Sequence, residues 1–250
     1  MPGLACYFSN NKVDNALFNK MVDSLQHEDF HKVDTYSDPN FACARIHLGI
    51  FNPESQPVFN EDKSICVFIE GKIYGYEAEL DNLKNEGYKF IKENDAEFCL
   101  NSYIKYDKDF IKKLNGNFVI AIYDSKSKKV IIANDRFGFR VHYYYLDKDK
   151  LLLTPEIKAI LCDESFKKEL DKIGVCQYFA FGEFWGTNTF FQNINLLPPA
   201  SILTYDGNRL CLEKYWELKY APDYDKTEDE YSDELVKALH ESVERRMKPD

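Results

Sequence analysis

An α+β fold built of antiparallel hairpins is predicted by three features of this sequence. Helical apolar stripes dominate its early part, paired short strands crowd its middle and end, and Asp206-Gly207 marks a hairpin turn. In order, Leu4 to Phe8 reads as a short strand. Ala16, Leu17, Met21, Val22 and Leu25 then fall at helical spacing, so Val13 to Leu25 is expected to be an amphipathic helix. Ile65 to Ile69 is a compact apolar run closed by Gly71, too short for a helix and therefore a buried strand. Tyr76 to Leu83 has helical character. Cys99, Leu100, Tyr103 and Ile104 form a second stripe that Phe110, Ile111 and Leu114 continue. Val119 to Tyr123 and Val130 to Ala133 are strands joined by the polar Asp124 to Lys129, and Tyr143 to Tyr145 with Leu151 to Leu153 repeat the arrangement. Ile202 to Tyr205 and Leu210 to Leu212 flank Asp206-Gly207, a dipeptide that tolerates positive φ. Alternating βαβ units do not occur, so a parallel nucleotide-binding sheet is not expected.

Residues Ala221 to Lys226 form a polar, proline-containing linker, and Thr227 with Glu230 makes a capping box for a helix running to about Met247. Leu235, Leu239 and Val243 give that helix an apolar seam with nothing after it to pack against. The chain therefore divides into one domain over residues 1–220 and a segment 221–250 that reads as a linker plus the first helix of a following domain.

At 250 residues the chain can bury a sizeable core, and 44% hydrophobic with 15% aromatic residues excludes disorder. A formal charge of -10, spread along the sequence, argues against nucleic-acid binding. No apolar run approaches the roughly 20 residues that span a bilayer, and the start lacks the order of a signal peptide. A soluble, cytoplasmic chain is expected. Its 7 cysteines are dispersed, odd in number and without a C-x-x-C pair, which reads as reduced core thiols.

His27-Glu28-Asp29-Phe30-His31 matches H-E-x-x-H, the zinc-hydrolase pattern when both histidines share a helix face. The turn-like residues that follow and the lack of a third ligand favour solvated loop histidines, and no metal is expected. Asp135-Arg136-Phe137-Gly138 lies between strands and reads as a turn in which Asp135 pairs with Arg136 or caps, while Leu197-Pro198-Pro199 reads as a rigid lead into the next strand.

Read in order, these segments resemble the asparagine synthetase family, specifically its N-terminal class II glutamine amidotransferase domain of the N-terminal-nucleophile type. Gln56-Pro57-Val58-Phe59-Asn60 is similar to Q-P-L-Y-N, Glu70-Gly71-Lys72-Ile73-Tyr74-Gly75 to N-G-E-I-Y-N, and Leu114-Asn115-Gly116-Asn117-Phe118 to L-N-G-M-F. Asp135 to Gly138 matches D-R-F-G, Pro155 to Ala159 resembles S-E-I-K-A, and Leu197 to Ala200 followed by Tyr215-Trp216 resembles L-P-P-G and Y-W. His27 to His31 stands where the family has H-R-G-P-D. The resemblance implies a four-layer αββα sandwich of antiparallel sheets.

It also implies a site in which the N-terminal cysteine attacks the glutamine amide, its own α-amine serving as base while hydrogen-bond donors hold the oxyanion. The position that corresponds to the nucleophile is Pro2, which has no nucleophilic side chain. Cys6 is near in sequence but lies in a predicted strand and carries no α-amine. The residue corresponding to the carboxylate-clamping arginine is His47, a mostly neutral imidazole without a bidentate fork. The oxyanion donor corresponds to Glu70, whose charge would repel an oxyanion, and the neighbouring acidic position corresponds to Lys72. Gly71 and Asp95 match, Asp95 as the residue that binds the substrate α-amino group, although it could equally cap the helix beginning at Ala96.

The resemblance thus implies an amidotransferase-like domain that has lost glutaminase activity and serves a structural or regulatory role for an ATP-dependent amide-forming ligase. No cofactor is expected within the chain, whereas ATP and Mg are implied for a following synthetase domain, whose S-G-G-x-D-S loop does not occur here. Partners are that domain in the same natural protein and a second copy in a homodimer, with neither nucleic acid nor membrane. The alternatives are an active glutamine-hydrolysing domain of altered chemistry, the N-terminal domain of a β-lactam-synthetase-like cyclase, a stand-alone ligand-binding module, and a zinc hydrolase.

Overall fold

The computed structural model describes residues 2–247. In chain order its strands are β1 (Gly3–Ser9), β2 (Lys32–Ser37), β3 (Phe41–His47), β4 (Val58–Phe59), β5 (Ile65–Ile73), β6 (Gly116–Asp124), β7 (Lys129–Asn134), β8 (Tyr143–Asp147), β9 (Lys150–Thr154), β10 (Ile194–Leu196), β11 (Ser201–Tyr205) and β12 (Leu210–Lys214). The helices are α1 (Asn15–Leu25), α2 (Glu77–Asn85), α3 (Asp95–Tyr106), α4 (Ile157–Ile160), α5 (Lys172–Phe181) and α6 (Glu228–Met247), with a 3-10 helix at Asp107–Lys113.

The strands form two six-stranded antiparallel sheets, ordered β10-β8-β9-β1-β3-β2 and β12-β11-β7-β6-β5-β4. Side chains alternate along a strand, so each sheet has two faces to bury. Leu4, Cys6 and Phe8 of β1 meet Val119, Ala121 and Tyr123 of β6 in a core between the sheets. Ala5 and Tyr7 turn the other way, against Leu17, Phe18 and Met21 of α1. Val67, Ile69 and Ile73 of β5 pack under Phe98, Cys99 and Tyr103 of α3. Three stacked cores define four layers, the αββα sandwich.

The elements follow local chemistry. Asp14 caps α1 by accepting from the amides of Ala16 and Leu17 at 2.9 and 3.1 Å. Thr227 and Glu230 bond reciprocally at the start of α6 as a capping box. Leu235, Leu239 and Val243 of that helix are exposed, and Arg246 lies over the Tyr74 ring at 5.2 Å.

Two expectations change. Gly71 does not close β5, which runs through it to Ile73. The second helical stripe ends at Tyr106, and Phe110 and Ile111 belong to the 3-10 turn. Among the described residues no helix is long and apolar enough to cross a membrane.

Candidate functional site

Strand alternation gathers the predicted site residues at one end of the seam between the sheets. On β3, Phe41 and Cys43 face the seam, so Arg45 and His47 continue that face. On β5, Cys66 and Phe68 face it from the other sheet, and Glu70 and Lys72 follow. Antiparallel pairing sets Gly3 opposite Ile46, which carried one residue further brings Pro2 level with His47. By strand parity Pro2, His47, Glu70 and Lys72 fall at the same end of the seam.

On the first sheet the dominant group is one the resemblance did not single out. Arg45 is fully buried; its Nε lies 3.2 Å from Asp34 Oδ2, and its Nη2 donates to the Asn52 carbonyl at 2.8 Å. The Gly49 amide donates to His47 Nδ1 at 3.2 Å, while His47 Nε2 stands 3.3 Å from Asp34 Oδ2. Arg45 Nη2 also stands 2.9 Å from Nδ1, so that nitrogen is an acceptor and the ring is neutral. Burial, and then the adjacent guanidinium, push the His47 pKa below the usual imidazole range. Arg45 was legible as the one charged residue in the otherwise apolar strand centre, on the same parity as His47.

On the second sheet, Glu70 is buried with Oε1 at 3.5 Å from Arg140 Nη1. Burial raises its carboxyl pKa, against the opposing pull of Arg140 and Arg45. Gly71 has φ +118°, and a Cβ there would fall 2.0 Å from the Asn117 carbonyl oxygen of β6, so only glycine fits. Its own carbonyl accepts from Asn52 Nδ2 at 2.9 Å.

Asp95 ties the site together. It is fully buried and accepts from the Ile73 amide at 2.9 Å, Asn52 Nδ2 at 3.1 Å and Tyr76 OH at 2.7 Å. Lys72 Nζ stands 3.5 Å from its other edge. The helix cap is not Asp95 but Asn94, whose side chain accepts from the Glu97 amide at 3.0 Å. The seam charges are thus matched internally, Arg45 with Asp34, Arg140 with Glu70 and Lys72 with Asp95.

The other motifs are structural. Residues 27–31 form a turn, so the histidines do not share a helix face; His27 Nε2 lies 2.7 Å from Glu156 Oε1. Asp135 accepts from the amides of Phe137 and Phe118 at 2.9 and 3.3 Å, fixing the turn to Gly138. Arg136 stacks over Trp216 at 5.9 Å. Cys6 lies in the inter-sheet core with its sulfur 3.2 Å from that of Cys43.

Sequence reasoning did not find His142. It is buried, accepts from the Leu4 amide at 3.0 Å and faces the Arg140 carbonyl at 3.0 Å, so it pins the start of β1 to the loop carrying Arg140. Burial lowers its pKa to about 4. The unfolded chain then binds more protons than the fold between roughly pH 6.5 and this value, so stability falls as pH falls through that window. The loss is about 3 kcal/mol. Glu70, with its raised pKa, acts oppositely, its stabilisation fading as pH rises above the ordinary carboxylate range. Urea unfolding at stepped pH should show the acid-side loss in the wild type, and His142→Gln should flatten the slope. An unchanged slope in the variant would reject the assignment.

Residues 1–216 match the family described as a glutamine amidotransferase domain. The chain is 29% identical over 186 residues to a glutamine-hydrolysing asparagine synthetase of Bacillus subtilis, covering 74% of this chain and 30% of that protein. It is 28% identical over a 270-residue alignment to an amidase of Penicillium rubens, covering 100% of this chain and 38% of the relative. The chain spans about a third of the length of these curated relatives. Among solved structures, the glutamine phosphoribosylpyrophosphate amidotransferase of B. subtilis superimposes with a TM-score of 0.58 at 15% identity, over 86% of this chain and 49% of that one, a likeness of fold.

Proposed function

This chain belongs to the glutamine amidotransferase domain family, with homologues among asparagine synthetases, and from that premise we propose that it is a member that no longer hydrolyses glutamine. It serves instead as a structural or regulatory domain of an ATP-dependent amide-forming ligase. The observation that carries this reading is the Lys72–Asp95 pair. An ammonium already stands beside the carboxylate that would receive the α-ammonium of glutamine, and a second positive group would have to displace it from that carboxylate.

Three neighbours support the same reading. Pro2, at the nucleophile's place, offers no thiolate to form a thioester. Glu70 presents a carboxylate where an oxyanion needs a donor. Arg45, the buried guanidinium nearest the expected clamp at His47, is already ion-paired with Asp34 and donates to the Asn52 carbonyl. The segment from residue 221 onward, with the exposed Leu235, Leu239 and Val243 of α6, supports its assignment to the start of a synthetase domain. ATP and Mg would act there and not among these seam residues.

Ammonia release from glutamine, followed by coupled assay, tests the reading. Neither the wild type nor Pro2→Cys is expected to release measurable ammonia, because one restored thiol leaves Glu70 and the Lys72–Asp95 pair in place. Substantial hydrolysis by Pro2→Cys, or wild-type hydrolysis that requires Cys6, would overturn it.

A further inference from the structure

We infer that a cavity on the outer face of the second sheet, between α2, α3 and the 3-10 helix, is a binding site for a small aromatic carboxylate. Its volume is about 270 Å³, just below the range of roughly 300–1,000 Å³ for drug-sized ligands and so suited to a smaller guest. It lies across β5 from the seam and meets the candidate amidotransferase site at Ile73 and Tyr76, both of which donate to Asp95.

Three features of its lining specify the ligand. Its walls carry Tyr74, Tyr76, Phe98, Tyr106 and Phe110, with Tyr76 and Phe98 stacked at 4.2 Å. Ring faces and edges of this kind favour a flat aromatic guest. Deeper in the lining is Ser102, 1% exposed, whose hydroxyl has no hydrogen-bond partner. A serine inside a helix ordinarily returns its hydroxyl to the carbonyl four residues earlier, and an unmade bond in a buried position is costly. A hydrogen-bonding group on a guest would satisfy it.

The rim sets the charge. Glu79 is already engaged by Tyr106 OH at 2.7 Å, Asn82 Nδ2 at 3.3 Å and Lys105 Nζ at 3.8 Å. Lys113 is exposed, sits 5.2 Å from the centre of the Tyr106 ring and forms no ion pair among the described residues. Lys113 acts on Glu79 only at a distance and forms no ion pair with it among the described residues, which leaves its ammonium for an anionic end on the guest. A ring with a carboxylate toward Lys113 and a hydroxyl toward Ser102 meets all three requirements.

Calorimetric titration of the full chain with para-hydroxybenzoate and with benzoate tests this. One saturable site is expected, with para-hydroxybenzoate bound several-fold more tightly than benzoate. Lys113→Gln should weaken both by about tenfold. Ser102→Ala should abolish the preference between the two without lowering the thermal midpoint, because the hydroxyl it removes holds nothing in the free protein. Absence of saturable binding at millimolar ligand, equal affinity of the two ligands for the wild type, or a lowered midpoint in Ser102→Ala would each overturn the inference.

Discussion

Asp95→Ala should lower the unfolding free energy by about 4 kcal/mol, read from urea denaturation at neutral pH. The carboxylate accepts from Ile73, Asn52 and Tyr76 in a place closed to water, and it faces the Lys72 ammonium. Its removal strands donors on a strand, a loop and a side chain at once, and each bond to a buried charge is worth about 1.5–3 kcal/mol. Asp95→Asn keeps the shape and one acceptor oxygen and should fall between the variant and the wild type. Lys72→Met added to Asp95→Asn should then cost less than the sum of the two single changes, since both remove the same ion pair. A loss below about 1 kcal/mol in Asp95→Ala would mean that the bonds around it are readily replaced.

The second large effect is at Gly71. Gly71→Ala must place a methyl group 2.0 Å from the Asn117 carbonyl oxygen and hold φ at +118°, so β5 and β6 have to part where they pair. We expect a loss of about 4 kcal/mol or more, seen as insoluble expression or a collapsed midpoint. Gly87→Ala is the control. Its φ of +93° carries the backbone strain, but nothing lies within 4 Å of the added atom, and it should cost only about 1–2 kcal/mol. Similar losses at both positions would assign the Gly71 effect to its dihedral angle and not to contact with β6.

Elements with one wet face were the easiest to read, because their pattern alternates with the backbone period. α1 and the hairpin at Asp206-Gly207 are of this kind, and Gly207 indeed has φ +87°. β3 was missed because all seven of its residues are buried, which erases the alternation. α5 was missed for a related reason, being apolar around most of its circumference and so without a polar face to mark its period. The strand ending predicted at Gly71 failed because that glycine serves close approach between strands, not a turn.

Within the site, Pro2, His47, Glu70, Gly71, Lys72 and Asp95 were reached through the resemblance. Arg45 had a signal in the sequence, a charge on an apolar strand. Asn52, Arg140 and His142 had none, since they come from loops that only the folded chain brings to the seam, and their roles are hydrogen bonds across many residues. Asn94 won the cap from Asp95 because the Asp95 carboxylate is drawn inward by three donors, Ile73 N, Asn52 Nδ2 and Tyr76 OH.

The internally matched seam also has a historical consequence. On the proposed reading these residues answer to the folding of the chain and not to a substrate, since Arg45, Arg140 and Lys72 are each paired with a carboxylate of the same molecule. Natural selection on stability alone will therefore preserve them, whether or not any ligand visits. A lineage selected for glutamine hydrolysis would then have to loosen Lys72 from Asp95 and Arg45 from Asp34 before any catalytic gain arrived, passing through poorly folded intermediates. On the proposed reading, restoring the nucleophile is one codon deep, whereas the ion pairs behind it work as a ratchet.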